Sequence, residues 1–364
     1  MKRKLLTALL CGALMLTSLA GCGQGAENQS GTSAGSESAV KDELVFVNYR
    51  DIRDLNPHLY AGEMYAQSIL YDTLVSNTSE GYVGCLAEDW TISEDGRTYT
   101  FNIRDGVTFS DGTPCDANAI LANFNAILEN RERHTWLEMM HLLVGVDAPD
   151  ENTFVIELSE PYYPLLTELG VTRPFAMISP KAMKDGSTKD GVEAYIGTGP
   201  YVLDEFVTDE YAIFKANPNY WGEQPAIKTI TVKVIPDNQT RILALEKGEI
   251  DMIFGKNMID ADAINQYLDS DKFTVELSDP TSTRQIVLNT SSDILSEKDV
   301  RIALQHATNK QNISDGIFYG LEKPADTLFA KTIPYCNIDL EPYAYDLEMA
   351  GQILDDAGWK MGSG

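Results

Sequence analysis

The spacing of hydrophobic and polar positions changes period several times along the chain, and each change predicts an element. Glu43-Leu44-Val45-Phe46-Val47-Asn48-Tyr49 is short and rich in Val and Phe, which favours a buried strand over a helix. Residues 55–60 turn the chain around Asn56-Pro57, and 64–73 have a helical pattern. Trp90-Thr91-Ile92 and residues 99–103 alternate about Ser93-Glu94-Asp95-Gly96, whose Asp-Gly pair signals a hairpin. Asp111-Gly112-Thr113-Pro114 is a second turn. Asp116 is placed to cap a helix over 117–129, on which Ile120, Phe124 and Ile127 or Leu128 form one apolar stripe.

Further strands are predicted at 151–158, from 201, at 211–215, 230–234 and 285–288. Helices are predicted at 162–169, 238–247 (closed by Gly248), 296–307 and 345–357. The pattern is mixed α/β without a fixed-period repeat. A length of 364 residues suits two or more domains, or one large two-lobed body.

The first residues depart from this pattern. Lys2, Arg3 and Lys4 precede a short apolar run, and Leu19-Ala20-Gly21-Cys22 has the form of a lipobox. The run is too short for an ordinary spanning helix and reads as a cleaved signal over residues 1–21. Lipid on Cys22 would tether the mature chain to a membrane without crossing it. The Gly/Ser-rich residues 22–42 read as a flexible linker. Its Gly31-Thr32-Ser33-Ala34-Gly35 matches a hydrolase nucleophile pattern but lacks the flanking strand and helix which that chemistry needs.

Charge and cysteines narrow the function classes. With 55 Asp and Glu against 28 Lys and Arg, the formal charge is -27, and it becomes about -30 once the three leading cations are removed. Such a field disfavours nucleic acid. Cys85, Cys115 and Cys336 show neither C-x-x-C spacing nor a nearby His, and their odd number argues against a disulfide framework. No P-loop, dinucleotide fingerprint, H-E-x-x-H or placed nucleophile motif occurs, so an enzyme is not expected.

Against this acidic background, Asn130-Arg131-Glu132-Arg133-His134-Thr135-Trp136 crowds basic side chains onto an indole, and Thr172-Arg173-Pro174-Phe175 is a second such spot. Guanidinium groups beside aromatic walls suit capture of a carboxylate-bearing ligand, because Arg offers a bidentate fork and the ring excludes water. A solvated helix end is the competing reading of Arg131–Arg133.

Several segments together resemble the family-5 solute-binding proteins of ABC transporters: Gly96-Arg97-Thr98-Tyr99-Thr100-Phe101 after Trp90, Phe109-Ser110-Asp111-Gly112, Gly197-Thr198-Gly199-Pro200-Tyr201, Asn219-Tyr220-Trp221-Gly222 and Gly248-Glu249-Ile250-Asp251. Within that family, Leu55-Asn56-Pro57-His58-Leu59-Tyr60, the Arg133–Trp136 segment, Arg173-Pro174-Phe175 and Ala325-Asp326-Thr327-Leu328-Phe329-Ala330 resemble the members that carry nickel chelates. The resemblance implies an α/β, two-lobed, periplasmic-binding-protein type II-like fold. Lobe I with its subdomain would span 43–279, and 280–364 would begin a lobe II that is incomplete.

It also implies a lipid-anchored, extracytoplasmic, monomeric receptor. Such a receptor captures a nickel or other transition-metal chelate, held by an organic chelator or histidine, and delivers it to permease subunits with their ATPase. It has no prosthetic group. By residue-by-residue match, Arg133 and Arg173 would clamp ligand carboxylates, Trp136 would pack on the complex and Met64 would line the pocket. No residue of this chain is assigned to the metal itself: His134 is expected to point away from Trp136 into a structural hydrogen bond, and His58 to stabilise its turn. With lobe II incomplete, tight capture by this chain alone is not expected. A dipeptide- or oligopeptide-binding member of the same family is the alternative.

Overall fold

In the computed structural model, residues 41–360 are described, apart from Pro334, together with Gly362. The signal, the lipidation site at Cys22 and nearly all of the linker lie outside the described residues. Lys41 is already tied to the body, its Nζ lying 2.6 Å from the Asp251 carboxylate. Among the described residues no helix is long and apolar enough to cross a membrane.

The strand Glu43–Asn48 forms as its composition predicts and lies inside a five-stranded sheet. It runs parallel to Thr229–Val234, with Phe46 opposite Val232, and parallel to the short Met252–Ile253. Tyr201–Val207 and Tyr211–Ala216 extend the sheet antiparallel beyond Thr229–Val234. Alternation decides which side chains enter the core: Ala212 and Phe214, then Ile230 and Val232, pack with Leu70, Tyr71 and Ile178.

A second, four-stranded antiparallel sheet has the order Ala87–Ile92, Thr98–Ile103, Thr153–Leu158, Leu143–Asp147. Tyr99, Phe101, Phe154 and Ile156 point inward and are fully buried against the helix Ala117–Glu129. The Asp-Gly hairpin forms as read, with Gly96 at φ +69°. The helix also begins where its cap predicts, since the Asp116 carboxylate accepts from the Ala119 N–H at 2.9 Å. Ile120, Phe124 and Ile127 are its buried stripe. Phe124 lies 4.8 Å from Phe154 and 5.9 Å from Phe175, ring to ring, and so joins the sheet to the segment that carries Arg173.

Three expectations need correction. The helix read at 64–73 is Met64–Leu70; Tyr71 is extended, and the Leu70 carbonyl accepts from the Gly199 N–H instead. A Cβ on Gly197 would stand 2.0 Å from that carbonyl oxygen, so the Gly-Thr-Gly motif serves a close backbone approach. Nearby, the Asp72 carboxylate accepts from the Thr198 hydroxyl and the Trp221 indole N–H, both at 2.9 Å, which gives the Gly197–Tyr201 and Asn219–Gly222 motifs a common anchor. Second, residues 285–288 form no strand. Ile286 and Val287 are 85% and 80% exposed, with no neighbouring strand among the described residues to pair with. Third, sequence periodicity missed the helices Ala261–Tyr267 and Lys310–Phe318. Of the helices read towards the end, Lys298–Ala307 and Leu347–Asp356 form and are joined by the His306 carbonyl, which accepts from the Asp346 N–H at 2.9 Å.

His58 holds the 55–60 turn against the body. Its Nε2–H donates to the Ala176 carbonyl at 3.2 Å, which leaves Nδ1 to accept from the Thr188 hydroxyl at 3.0 Å. The turn-stabilising role read for it is what the geometry shows. Burial pushes its pKa from 6.5 down to about 3, so it is neutral at ordinary pH.

Two outcomes follow for stability. Phe124→Ala is expected to cost about 3–5 kcal/mol, whereas Asp116→Ala costs about 1 kcal/mol. Urea denaturation midpoints check the order, and equal losses would refute the keystone placement of Phe124. For His58, the unfolded chain takes up a proton below pH 6.5 while the native chain does not until about 3. The stabilisation is therefore fully present above 6.5 and declines as pH falls through that window. The penalty of His58→Gln should shrink by about 2 kcal/mol between pH 7 and pH 5; a pH-independent penalty would contradict a buried neutral imidazole.

Candidate functional site

The two basic segments reach one face by different routes. The helix Ala117–Glu129 ends at Asn130 and passes into a 3-10 turn, Arg131–His134, which delivers Thr135 and Trp136. Arg131 does not face a ligand: its Nε donates to the Met140 carbonyl at 2.6 Å and so closes the corner from within. The Glu168 carboxylate completes the corner by accepting from the Glu138 and Met139 N–H groups at 2.9 and 3.1 Å. His141 donates to the Thr135 carbonyl at 2.8 Å, a structural role.

Arg173 lies in the short turn Thr172–Phe175 and itself has extended backbone angles. Phe175 is fully buried beneath it. Thr172 is joined by its hydroxyl to Ser68, 3.0 Å away on the helix Met64–Leu70. Met64 is exposed one turn earlier on that helix, at the i−4 position from Ser68.

Tyr60 sits between the two segments, and sequence reading did not single it out. The Trp136 indole N–H donates to its hydroxyl, which lies 2.8 Å from Nδ1 of His134. The Arg173 guanidinium carbon is 5.8 Å from its ring centroid. The structural hydrogen bond expected of His134 is present, but its expected direction away from Trp136 is not, since both side chains converge on one hydroxyl. The signal was present: Tyr60 closes the Leu55–Tyr60 motif, and a tyrosine pairs an aromatic face with a polar tip.

The electrostatics divide this face into neutral supports and cationic tips. His134 is completely buried, and burial, reinforced by the adjacent Arg133 charge, pushes its pKa down to about 4. Burial raises the pKa of the Tyr60 hydroxyl, which keeps its proton. Arg173 is half-buried, and burial lowers its pKa from the usual 12.5. Its Nη1 donates to the carbonyls of Ala61 and Gly62 at 3.3 and 3.5 Å, and no carboxylate stands at ion-pair distance among the described residues. The nearby Glu63 is already held by Arg50 at 2.6 Å and Arg53 at 3.4 Å. Arg133 is exposed at the edge of the face and makes no side-chain ion pair among the described residues. Trp136, 58% exposed, is the uncovered wall.

The structure thus joins Tyr60, His134, Trp136 and Arg173 by direct contacts; Arg133 is related to them through its neighbour His134 and Met64 through the helix that carries Ser68. The face is open. Two hollows, of about 370 Å³ near Glu246 and Tyr267 and about 420 Å³ near Tyr211 and Lys233, are lined by none of these residues. Among the described residues no three of His, Cys, Asp or Glu gather as a metal cluster. What the face presents is a guanidinium over an aromatic ring, with an exposed indole beside it.

Comparison with known proteins bears on the fold and the family. Residues 81–364 match the model for bacterial extracellular solute-binding proteins, family 5 Middle. The nickel-binding periplasmic protein of Escherichia coli (strain K12) is 43% identical over 330 residues, covering 90% of this chain and 63% of that protein. The dipeptide-binding protein of the same organism is 30% identical over 348 residues, covering 88% of this chain and 64% of that protein. Among solved structures, NikA from Brucella suis in complex with Fe(III)-EDTA shares 43% identity at a TM-score of 0.86, covering 88% of this chain and 65% of that one. The chain thus spans less than two thirds of the length of these relatives. Its α/β fold is that of these two-lobed, type II-like binding proteins, and the chain belongs to the family of bacterial extracellular solute-binding proteins, family 5.

Proposed function

We propose that this chain is the solute-capturing part of an ABC importer, held outside the cytoplasm by lipid on Cys22, and that its ligand is a nickel or other transition-metal chelate gripped through its carboxylates. Residues 43–279 are the first lobe of the receptor and 280–364 the start of a second. Closure of the lobes on the ligand precedes delivery to the permease and its ATPase, and the ligand biases closure only through contacts that improve in the closed state.

One observation carries the ligand class. Arg173 keeps its charge in a half-buried position with no acid beside it among the described residues, because Glu63 is committed to Arg50 and Arg53. A ligand carboxylate is the partner that such a guanidinium lacks. Arg133 adds charge at the rim, and Trp136 and Met64 supply apolar wall. The nickel-binding relative and the Fe(III)-EDTA complex of the Brucella suis protein support a chelate as that carboxylate source. The dipeptide-binding relative supports the alternative, a peptide held by its carboxyl end.

The test is isothermal titration of the chain with nickel plus L-histidine, nickel plus a polycarboxylate chelator, and a panel of di- and oligopeptides. Weak but saturable binding of a chelate is expected. Arg173→Ala should weaken it by roughly tenfold or more, the loss of a charge-assisted hydrogen bond. Arg173→Lys should fall between, since Lys keeps the charge and loses the fork. Binding of peptides alone would select the alternative, and chelate binding indifferent to Arg173 would refute the proposed grip.

A further inference from the structure

We propose that His134 is a positioning residue for the ligand face: acting through the Tyr60 hydroxyl, its neutral imidazole sets the orientation of Trp136. The argument begins with donor and acceptor roles. An indole N–H can only donate, so the Tyr60 oxygen accepts from Trp136 and its own proton is free to point elsewhere. Nδ1 of His134 lies 2.8 Å away and accepts that proton when the ring carries its own proton on Nε2. A neutral imidazole with a bare Nδ1 carries its proton on Nε2. Nε2 is buried and makes no hydrogen bond of ordinary geometry, the His58 backbone being the polar group set against the ring. This tautomer keeps the Nε2–H in the interior and lets the hydroxyl bridge to Trp136.

The surroundings favour the neutral form. Burial and the Arg133 charge on its own turn hold the imidazole neutral, outweighing the His58 backbone, which acts the other way; Tyr60 touches it from the 55–60 turn, where His58 is itself neutral. Arg173 stands across the Tyr60 ring. Protonating Nδ1 would set two donors against one phenolic oxygen and deprive the hydroxyl proton of its acceptor. The indole would then lose the fixed partner that holds it at the edge of the Tyr60 ring, where the two centroids are 6.3 Å apart.

This proposal draws on the reading of the face as a ligand site only for its consequence in affinity, since the orientation of Trp136 is measurable without ligand. The full chain is compared with variants by fluorescence, the Trp136 component being isolated by subtracting the matching Trp136→Phe spectrum. His134→Leu is expected to red-shift that component and open it to iodide quenching, while circular dichroism stays native. His134→Asn, which keeps an acceptor near the Nδ1 position, should restore the wild-type component. Tyr60→Phe should reproduce His134→Leu, and adding His134→Leu to it should change nothing further. In the wild type the component should titrate as pH falls towards 4, and in Tyr60→Phe it should not.

A wild-type Trp136 signal in folded His134→Leu would overturn the proposal, as would His134→Asn behaving like His134→Leu. Should His134→Leu fail to fold, an unchanged Trp136 signal in Tyr60→Phe would overturn it equally. Affinity for nickel plus L-histidine should fall roughly fivefold in His134→Leu, the worth of one ordinary hydrogen bond, and return in His134→Asn. If Trp136 responds but no variant binds chelate, the ligand reading fails and the positioning role stands. If chelate binds and Trp136 is indifferent to His134, the reverse holds.

Discussion

Arg173 holds a charge half out of water with no acid at its side, and the architecture of the face follows from that constraint. A guanidinium does not give up its proton in a protein, so the cost of burial must be offset by neighbours. Here the neighbours are the carbonyls of Ala61 and Gly62 and the Tyr60 ring, which solvate the cation without neutralising it. Glu63, the acid whose charge reaches it among the described residues, is occupied by Arg50 and Arg53. Beneath it, Phe175 is pinned to Phe124, so the guanidinium is not free to swing out on a loose loop. The ring contact between Phe175 and Phe124 thus ties the backbone beside this cation to the core.

Where local chemistry and tertiary packing agree, the sequence was a sufficient guide. The helix Ala117–Glu129 was legible at both ends, because Asp116 caps it and its apolar stripe meets a sheet of matching period. The Thr98–Ile103 strand was legible for the same reason, with alternation that coincides with burial. Failures came where a distant partner decides. Helical periodicity continued past Leu70, but Gly199 takes the carbonyl that the next turn needs. Val, Ile and Leu in 285–288 have strand propensity, yet propensity forms no ladder without a neighbouring strand. Short pairings such as Met183–Lys184 carry too few residues to show any period.

For the site, residue type and resemblance found the tips and missed the hub. Arg173, Arg133 and Trp136 stand out in an acidic chain because positive charge is outnumbered there and only 4 residues are tryptophan. Tyr60 does not stand out, being one tyrosine among 17. Its importance arises from three contacts made to segments 74, 76 and 113 positions away, and no local pattern encodes these. His134 was read as structural, and in its burial it is. What sequence could not give is direction: a buried imidazole that faces a hydroxyl shared with an exposed indole supports the surface from inside.

The sign of the face also matters against the sign of the whole. With a formal charge of -27, the molecule as a whole repels anions and attracts free metal cations to carboxylates scattered over its surface. At physiological salt such fields decay over about 8 Å, so a carboxylate feels Arg133 and Arg173 only on arrival. A bare divalent cation meets the opposite ordering, with attraction to the acidic molecule as a whole and repulsion at these two guanidinium groups. On the proposed reading, that contrast discriminates between forms of the same metal. The ion is excluded from the site by two guanidinium groups, and it enters only when a chelator has wrapped it and turned carboxylate oxygens outward.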